Sequence, residues 1–111
     1  MPHCIIEHSS TINGNDLIPL VFRGALSTGL FEDDGSDIKV RAQPFCDYQT
    51  GSSKSDFIHV VLKVLSGRST NDKQKLSKRV LQQISSLNFT SCSITVEVVD
   101  MDKNSYSKIV L

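Results

Sequence analysis

Apolar and polar residues alternate in four segments of the chain. Residues 3–8 are predicted as a short, mostly buried strand, and residues 38–42 alternate as a half-buried strand does. The segment 57–65 is the strongest strand prediction, because its even-numbered residues are all Ile, Val or Leu and line one face. Residues 93–99 alternate again, and they predict a fourth strand.

Two further segments carry apolar residues at helical spacing. The first follows turn-forming residues 13–16, and Gly29 lies where this helix should stop. Pro19 is compatible with it only if it falls within the first turn. The apolar side of this first helix comprises Leu17, Leu20, Val21 and Ala25. The second helix follows the turn at residues 67–70, and its apolar side comprises Leu76, Val80, Leu81, Ile84 and Leu87.

The order strand–helix–strand occurs twice, and a polar segment, residues 43–55, is predicted as the loop between the halves. The halves align at an offset of 56 residues, which places His59 on His3. We therefore expect a single domain over residues 1–111, with pseudo-repeats about 2–47 and 57–101. Two βαβ units predict an α+β (two-layer α/β) fold: a four-stranded sheet with two helices on one face. The other face would expose Phe57, Val61 and Leu65, which predicts oligomerisation.

Composition excludes several classes of function. The 12 basic and 12 acidic residues cancel, so we expect no nucleic-acid or membrane partner. The start lacks the features of a secretory signal, and no apolar run approaches the ~18 residues of a membrane span, so we expect a cytoplasmic protein. The odd number of cysteines (Cys4, Cys46, Cys92) favours reduced thiols. Without CxxC or HxxxH, no metal site is expected.

Pro2 is the first candidate for chemistry, because the repeat places only Ile58 at its equivalent position. If Met1 is removed, Pro2 exposes a secondary amine. An α-amino group titrates near ~7.7–8.0, so it can be neutral and act as a general base. The ordinary alternative is that Pro2 merely begins a strand, where a missing N–H does no harm.

Three cations also have no cationic counterpart in the other half of the repeat: Lys39 and Arg41 in the first half and Arg68 in the second. Arg68 lies in the turn before the second helix, whose N-terminus favours anions. Lys39 and Arg41 point the same way from their strand, so both could face one pocket. Each alone is typical of a solvated surface, but together with the unmatched proline they favour a functional site.

The same residues carry a resemblance to a known family. The segment Met1–Glu7 resembles the MPHxIxE start of 5-carboxymethyl-2-hydroxymuconate isomerase, a family of the tautomerase superfamily with an N-terminal catalytic proline. The likeness is strongest at residues 57–63 and 67–69, and it spans nearly the whole chain. It extends also over residues 29–31, 38–41 and 106–108.

The resemblance implies a homotrimer that interconverts unsaturated keto acids without a cofactor, in aromatic catabolism. By this likeness Pro2 is the proton-shuttling base and Arg68 handles a substrate carboxylate. The family's Arg-x-Arg strand is Lys39-Val40-Arg41 here, and lysine cannot make arginine's bidentate fork. The expected substrate is therefore only 5-carboxymethyl-2-hydroxymuconate-like.

Two alternatives remain open. One is another proline-dependent reaction of the superfamily, such as dehalogenation or decarboxylation. The sequence counts against it, because Glu7, the only near carboxylate, faces away from Cys4 and Ile6 in alternation and is not well placed to activate a water. The other is a non-catalytic trimeric interaction module, which retention of Met1 would favour because an acylated proline nitrogen is not basic. We expect His3 and His59 to be packed, hydrogen-bonded residues rather than acid–base partners.

Overall fold

Two βαβ units form one sheet in the computed structural model, which describes all 111 residues. The elements are β1 (His3–Ser9), α1 (Gly14–Leu26), β2 (Lys39–Phe45), β3 (Asp56–Leu65), α2 (Thr70–Ser85) and β4 (Cys92–Met101). The strand order is β2-β1-β3-β4. The two pairs within units are parallel, whereas β1 and β3 are antiparallel. The predicted α+β fold is confirmed.

The two units share one register. His3 pairs with Lys39 in the first unit and His59 pairs with Thr95 in the second, so the parallel pairs have the same offset. The helices begin at positions 14 and 70, which are separated by the same 56 residues as the two histidines. Neither helix is long and apolar enough to cross a membrane.

The core lies between the helices and one face of the sheet. It comprises Cys4, Ile6, Leu17, Val21, Ala25, Ile38, Ile58, Val60, Leu62, Val64, Leu76, Val80 and Ile84. Full burial of one such large side chain stabilises a fold by roughly 1.5–3 kcal/mol. The helices approach closely at Gly24, where an added Cβ would lie 2.8 Å from the Cα of Val80. Burial raises the pKa of the Cys4 thiol to about 12, so Cys4 is a packing residue rather than a nucleophile.

Two predictions near β2 and α1 are wrong. The strand β2 continues to Phe45, so residues 43–45 are not loop. Pro44 is tolerated there because β2 is an edge strand with one unpartnered side. Pro19 lies in the second turn of α1, since the helix begins at Gly14. It removes one helical hydrogen bond, that to the Asn15 carbonyl, and both residues lie on the exposed side of the helix.

The apolar side of α2 is narrower than predicted. Leu81 is 39% exposed and Leu87, which lies beyond the helix end, is 41% exposed. Neither residue is in the core, because the buried side of α2 carries only Leu76, Val80 and Ile84.

The second face of the sheet has no helix on it. Ile5 and Val61 are half-buried and lie opposite each other at its centre. Phe57, at one end of β3, is partly covered from within the chain, because the rings of Phe45 and Tyr48 lie 6.3 and 5.1 Å away. No helix of the chain covers the central part of this face.

Candidate active site

The beginning of β1 lies at a sheet edge where several segments meet. β1 and β2 begin there because His3 pairs with Lys39, and β3 ends there because His3 also pairs with Lys63. β4 runs parallel to β3 and ends at the same edge, so the tail, residues 102–111, starts beside it. Strand pairing thus brings Pro2 close to a cationic strand and to the tail.

Pro2 is fully buried, and its carbonyl accepts a hydrogen bond from the Lys39 backbone N–H at 3.2 Å. The side chain of Met1 is only 6% exposed, and the Lys39 Nζ lies 3.4 Å from its Sδ. With Met1 attached, the Pro2 nitrogen is an amide nitrogen and has no basic lone pair. Any role for Pro2 as a base therefore requires removal of Met1.

A carboxylate lies beside the N-terminus. The Oδ2 of Asp37 is 3.5 Å from the Met1 nitrogen, and its Oδ1 accepts a hydrogen bond from the Glu32 N–H at 3.1 Å. The expectation that Glu7 is the only near carboxylate is wrong. Glu7 pairs with His59 farther along β1. Asp37 belongs to an irregular loop before β2, and such a loop carries no periodic signal from which its position could be predicted.

Lys39 and Arg41 project from the same face of β2, as their alternation predicts, but make different contacts. Lys39 reaches Met1, whereas the Arg41 Nη1 donates to the His3 Nδ1 at 3.3 Å. The pKa of His3 is lowered, first by burial and then by the positive charges of Arg41, Lys39, Lys63 and the N-terminus. The surroundings of Pro2 are therefore cationic and suited to an anionic ligand.

His3 connects the cationic strand to the tail. Arginine can only donate hydrogen bonds, so the His3 Nδ1 is the acceptor and the proton of the neutral ring is on Nε2. That Nε2 lies 3.0 Å from the Tyr106 Oη and donates to it. The two rings meet edge to face, with centroids 6.2 Å apart. The expectation of a packed, hydrogen-bonded His3 is confirmed, and Tyr106 is a neighbour that sequence reasoning did not identify.

His59 occupies the equivalent position of the second unit and is also hydrogen-bonded. Its Nε2 lies 2.6 Å from a carboxylate oxygen of Glu97, and its Nδ1 lies 2.7 Å from the Thr95 hydroxyl. Both units therefore have a histidine that contacts a side chain on the neighbouring strand. That side chain is Arg41 in the first unit and Glu97 in the second. Only the first unit is cationic at this position.

Arg68 contacts the loop after α1. Its Nη2 donates to the Leu30 carbonyl at 3.1 Å, and its guanidinium lies 4.9 Å from the centre of the Phe31 ring. Arg68 lines neither cavity beside the N-terminus. It also shares no hydrogen bond with Pro2, Lys39 or Arg41, the three predicted site residues that adjoin His3.

Two cavities flank the N-terminus, with volumes of about 240 and 430 Å³. Both are lined by Met1, Lys39 and the tail residues 108–110. The smaller also includes Tyr106 and the larger includes Asp37. No group of three or more His, Cys, Asp or Glu side chains is placed to hold a metal ion.

Comparisons with known proteins relate this geometry to a family. The family model for 5-carboxymethyl-2-hydroxymuconate isomerase matches residues 2–108. Among solved structures, the chain is similar to a 5-carboxymethyl-2-hydroxymuconate delta-isomerase, with 16% identity, a TM-score of 0.78, and coverage of 99% of this chain and 89% of that one. No curated protein sequence matches the chain.

Two further structures share the fold. A 5-carboxymethyl-2-hydroxymuconate isomerase from Deinococcus radiodurans R1 has 17% identity and a TM-score of 0.77, covering 97% of this chain and 88% of that one. A fused 4-OT that forms a symmetric trimer has 12% identity and a TM-score of 0.78, covering 96% and 90%.

Proposed function

Because the chain belongs to the 5-carboxymethyl-2-hydroxymuconate isomerase family and is an isomerase, we propose that it moves a proton within an unsaturated keto or enol carboxylic acid, with Pro2 as the general base. The observation that carries this proposal is the cationic edge around the N-terminus, where the charges of Lys39, Arg41 and Lys63 act on His3 next to Pro2. The same cations favour a neutral amine at Pro2 once Met1 is removed.

The proposed reaction is a proton transfer between two carbons of the conjugated substrate. The neutral Pro2 nitrogen removes a proton from one carbon, which leaves a dienolate, and the resulting ammonium returns the proton at a vinylogous carbon. Lys39 and Arg41 bind substrate carboxylates and stabilise the developing negative charge. Fixed positive groups directed at such charge are usually the largest catalytic contribution. No step of this sequence uses a cofactor.

Arg68 is proposed to bind a carboxylate as well. Its guanidinium carries five N–H donors, and one nitrogen is engaged by the Leu30 carbonyl. Donors therefore remain for a ligand. Since Arg68 lines neither cavity beside the N-terminus, its substrate contact is proposed to form across a subunit boundary, which makes the site dependent on assembly.

The proposed assembly is a homotrimer. Support comes from the uncovered sheet face, which has Ile5 and Val61 at its centre. The fused 4-OT of similar fold, which forms a symmetric trimer, adds further support. An apolar sheet face without a covering layer is stabilised by burial against another subunit.

The experiment that tests Pro2 compares the untagged protein with a form that retains one extra N-terminal residue. Mass spectrometry first establishes that the untagged chain begins at Pro2. Turnover is then measured with 2-hydroxymuconate-type and phenylenolpyruvate substrates, and circular dichroism provides the folding control. We expect the extended form to be folded and inactive, because its proline nitrogen is an amide. Equal turnover by the two forms would rule out the proline mechanism.

One observation favours a second candidate, another proline-dependent reaction of the superfamily. Asp37 lies 3.5 Å from the nitrogen of Met1, the residue before Pro2, and its carboxylate would take a proton from water during a hydration-type dehalogenation. Release of halide from a 3-haloacrylate by the wild type, and its loss in Asp37→Asn, would support this candidate. If the purified chain retains Met1 and no proline-dependent turnover is found, the non-catalytic interaction module is the better description.

A further inference from the structure

The hydroxyl proton of Tyr106 has no acceptor within the chain. The Oη of Tyr106 makes a single hydrogen bond, in which it accepts the proton of the His3 Nε2. This direction follows from Arg41, which can only donate and so requires the His3 Nδ1 as its acceptor. The pKa of His3 is lowered by burial and by the nearby cations, which keeps the ring neutral near pH 7.

The free hydroxyl lies in a suitable place. Tyr106 lines the cavity of about 240 Å³ beside the N-terminus, together with Met1, Lys39 and Lys108. The two lysines supply positive charge for a carboxylate, whereas a neutral hydroxyl is suited to a carbonyl or enolate oxygen. A hydrogen bond to an oxygen strengthens when that oxygen becomes negatively charged.

We propose that Tyr106 is a substrate-binding residue that donates its hydroxyl hydrogen bond to the carbonyl or enolate oxygen of a 2-keto acid in this cavity. His3 is a positioning residue, because by donating to the Oη it directs the hydroxyl proton away from itself. This inference rests on the proposed isomerase function and adds a neutral hydrogen-bond donor at the substrate oxygen, whose developing charge Lys39 and Arg41 stabilise as cations.

The first test is Tyr106→Phe, which removes only the hydroxyl and retains the ring packed against His3. The matched control is Tyr48→Phe, because the Tyr48 hydroxyl donates to the Lys54 carbonyl at 3.4 Å in the loop before β3. We expect kcat/KM of Tyr106→Phe to fall roughly 10²-fold, mainly through kcat, since the enolate charge develops only during reaction. Tyr48→Phe should retain wild-type turnover. An unchanged kcat/KM in Tyr106→Phe would overturn the proposal.

The second test separates positioning by His3 from a structural role. In His3→Gln the side-chain amide retains one acceptor for Arg41 and one donor for Tyr106, whereas His3→Leu has neither. We expect His3→Gln to recover most of the kcat that His3→Leu loses, although both variants melt within a few degrees of each other. Equal kcat in the two variants would overturn the positioning role.

A binding measurement keeps this inference distinct from the proposed function. Wild-type protein labelled with ¹³C at the tyrosine Cζ is titrated with 2-oxoglutarate, and Tyr106→Phe assigns the two tyrosine signals. The Tyr106 signal should shift at saturation, while the Tyr48 signal should not move. A wild type that shows this shift without proline-dependent turnover would overturn the isomerase proposal but support the Tyr106 contact. An unmoved Tyr106 signal would overturn the contact whatever the turnover.

Discussion

Ile5 lies directly opposite Val61 across the antiparallel pair β1–β3, and these two residues occupy equivalent positions in the two βαβ units. The pseudo-twofold axis that relates the units therefore passes between them, at the centre of the uncovered sheet face. On either side of this axis the units differ in charge. In the first unit His3 contacts Arg41, and in the second unit His59 contacts Glu97. The fold is nearly symmetric, but the equivalent histidines contact a cation in one unit and a carboxylate in the other.

The first prediction concerns assembly. Val61→Asp places a charge at the centre of the uncovered face, and burying an unpaired carboxylate there would cost several kcal/mol. We expect the wild type to sediment as a trimer at micromolar concentration and Val61→Asp to sediment as a folded monomer. Gln82→Asp, on the exposed side of α2, is the control and should remain trimeric. A stable wild-type monomer would contradict the proposed assembly.

The second prediction concerns Arg68. If its guanidinium binds a substrate carboxylate in the transition state, Arg68→Ala should lower kcat/KM by roughly 10²–10³-fold. Arg79→Ala is a matched control, because Arg79 also donates to a backbone carbonyl near the end of α1, that of Ser27 at 3.1 Å. Steady-state kinetics on both variants, with melting temperatures, separates function from folding. An unchanged kcat/KM in Arg68→Ala would remove Arg68 from the site.

The third prediction concerns Lys39. Lysine presents a point charge, whereas arginine can bind a carboxylate with two parallel hydrogen bonds. We expect Lys39→Arg to increase kcat/KM for a dicarboxylate several-fold more than for the corresponding monocarboxylate. Lys54→Arg, in the loop far from the N-terminus, should not alter that ratio. If Lys39→Arg also leaves the ratio unaltered, Lys39 does not contact the second carboxylate.

The fourth prediction concerns Asp37 and pH. The Oδ2 of Asp37 lies 3.5 Å from the Met1 nitrogen, and we expect it to neighbour the Pro2 amine once Met1 is removed, where a carboxylate stabilises the protonated amine and raises its pKa. Asp37→Asn removes this effect, so the acid limb of the kcat/KM profile should move to lower pH. The control is Asp34→Asn in the same loop, since hydrogen bonds from Ser36, rather than the N-terminus, lower the pKa of Asp34.

A shift of the acid limb in the opposite direction, or an equal shift in Asp34→Asn, would show that Asp37 does not interact with the amine. The wild-type limb itself should lie below the ~7.7–8.0 of a free α-amine, because Lys39, Arg41 and Lys63 together outnumber the one carboxylate.

The sequence alone predicted the six elements and their order, because burial of one side of an element imposes a local period of 2 or 3.6 residues. It failed where that period is absent or weak. The extension of β2 through Pro44 to Phe45 was missed because an edge strand with polar residues resembles a loop. The exposure of Leu81 was not predicted, because helical spacing does not show how much of a helix surface the sheet will cover.

At the candidate site, the sequence identified Pro2, Lys39, Arg41 and Arg68 as unmatched residues of the repeat. Only the tertiary structure brought Asp37 to the N-terminus and Tyr106 to His3, and only it turned Arg68 toward the Leu30 carbonyl. The physical reason is that these contacts join irregular segments across long sequence separations. Their side-chain directions depend on loop conformation and packing, neither of which leaves a periodic trace in the chain.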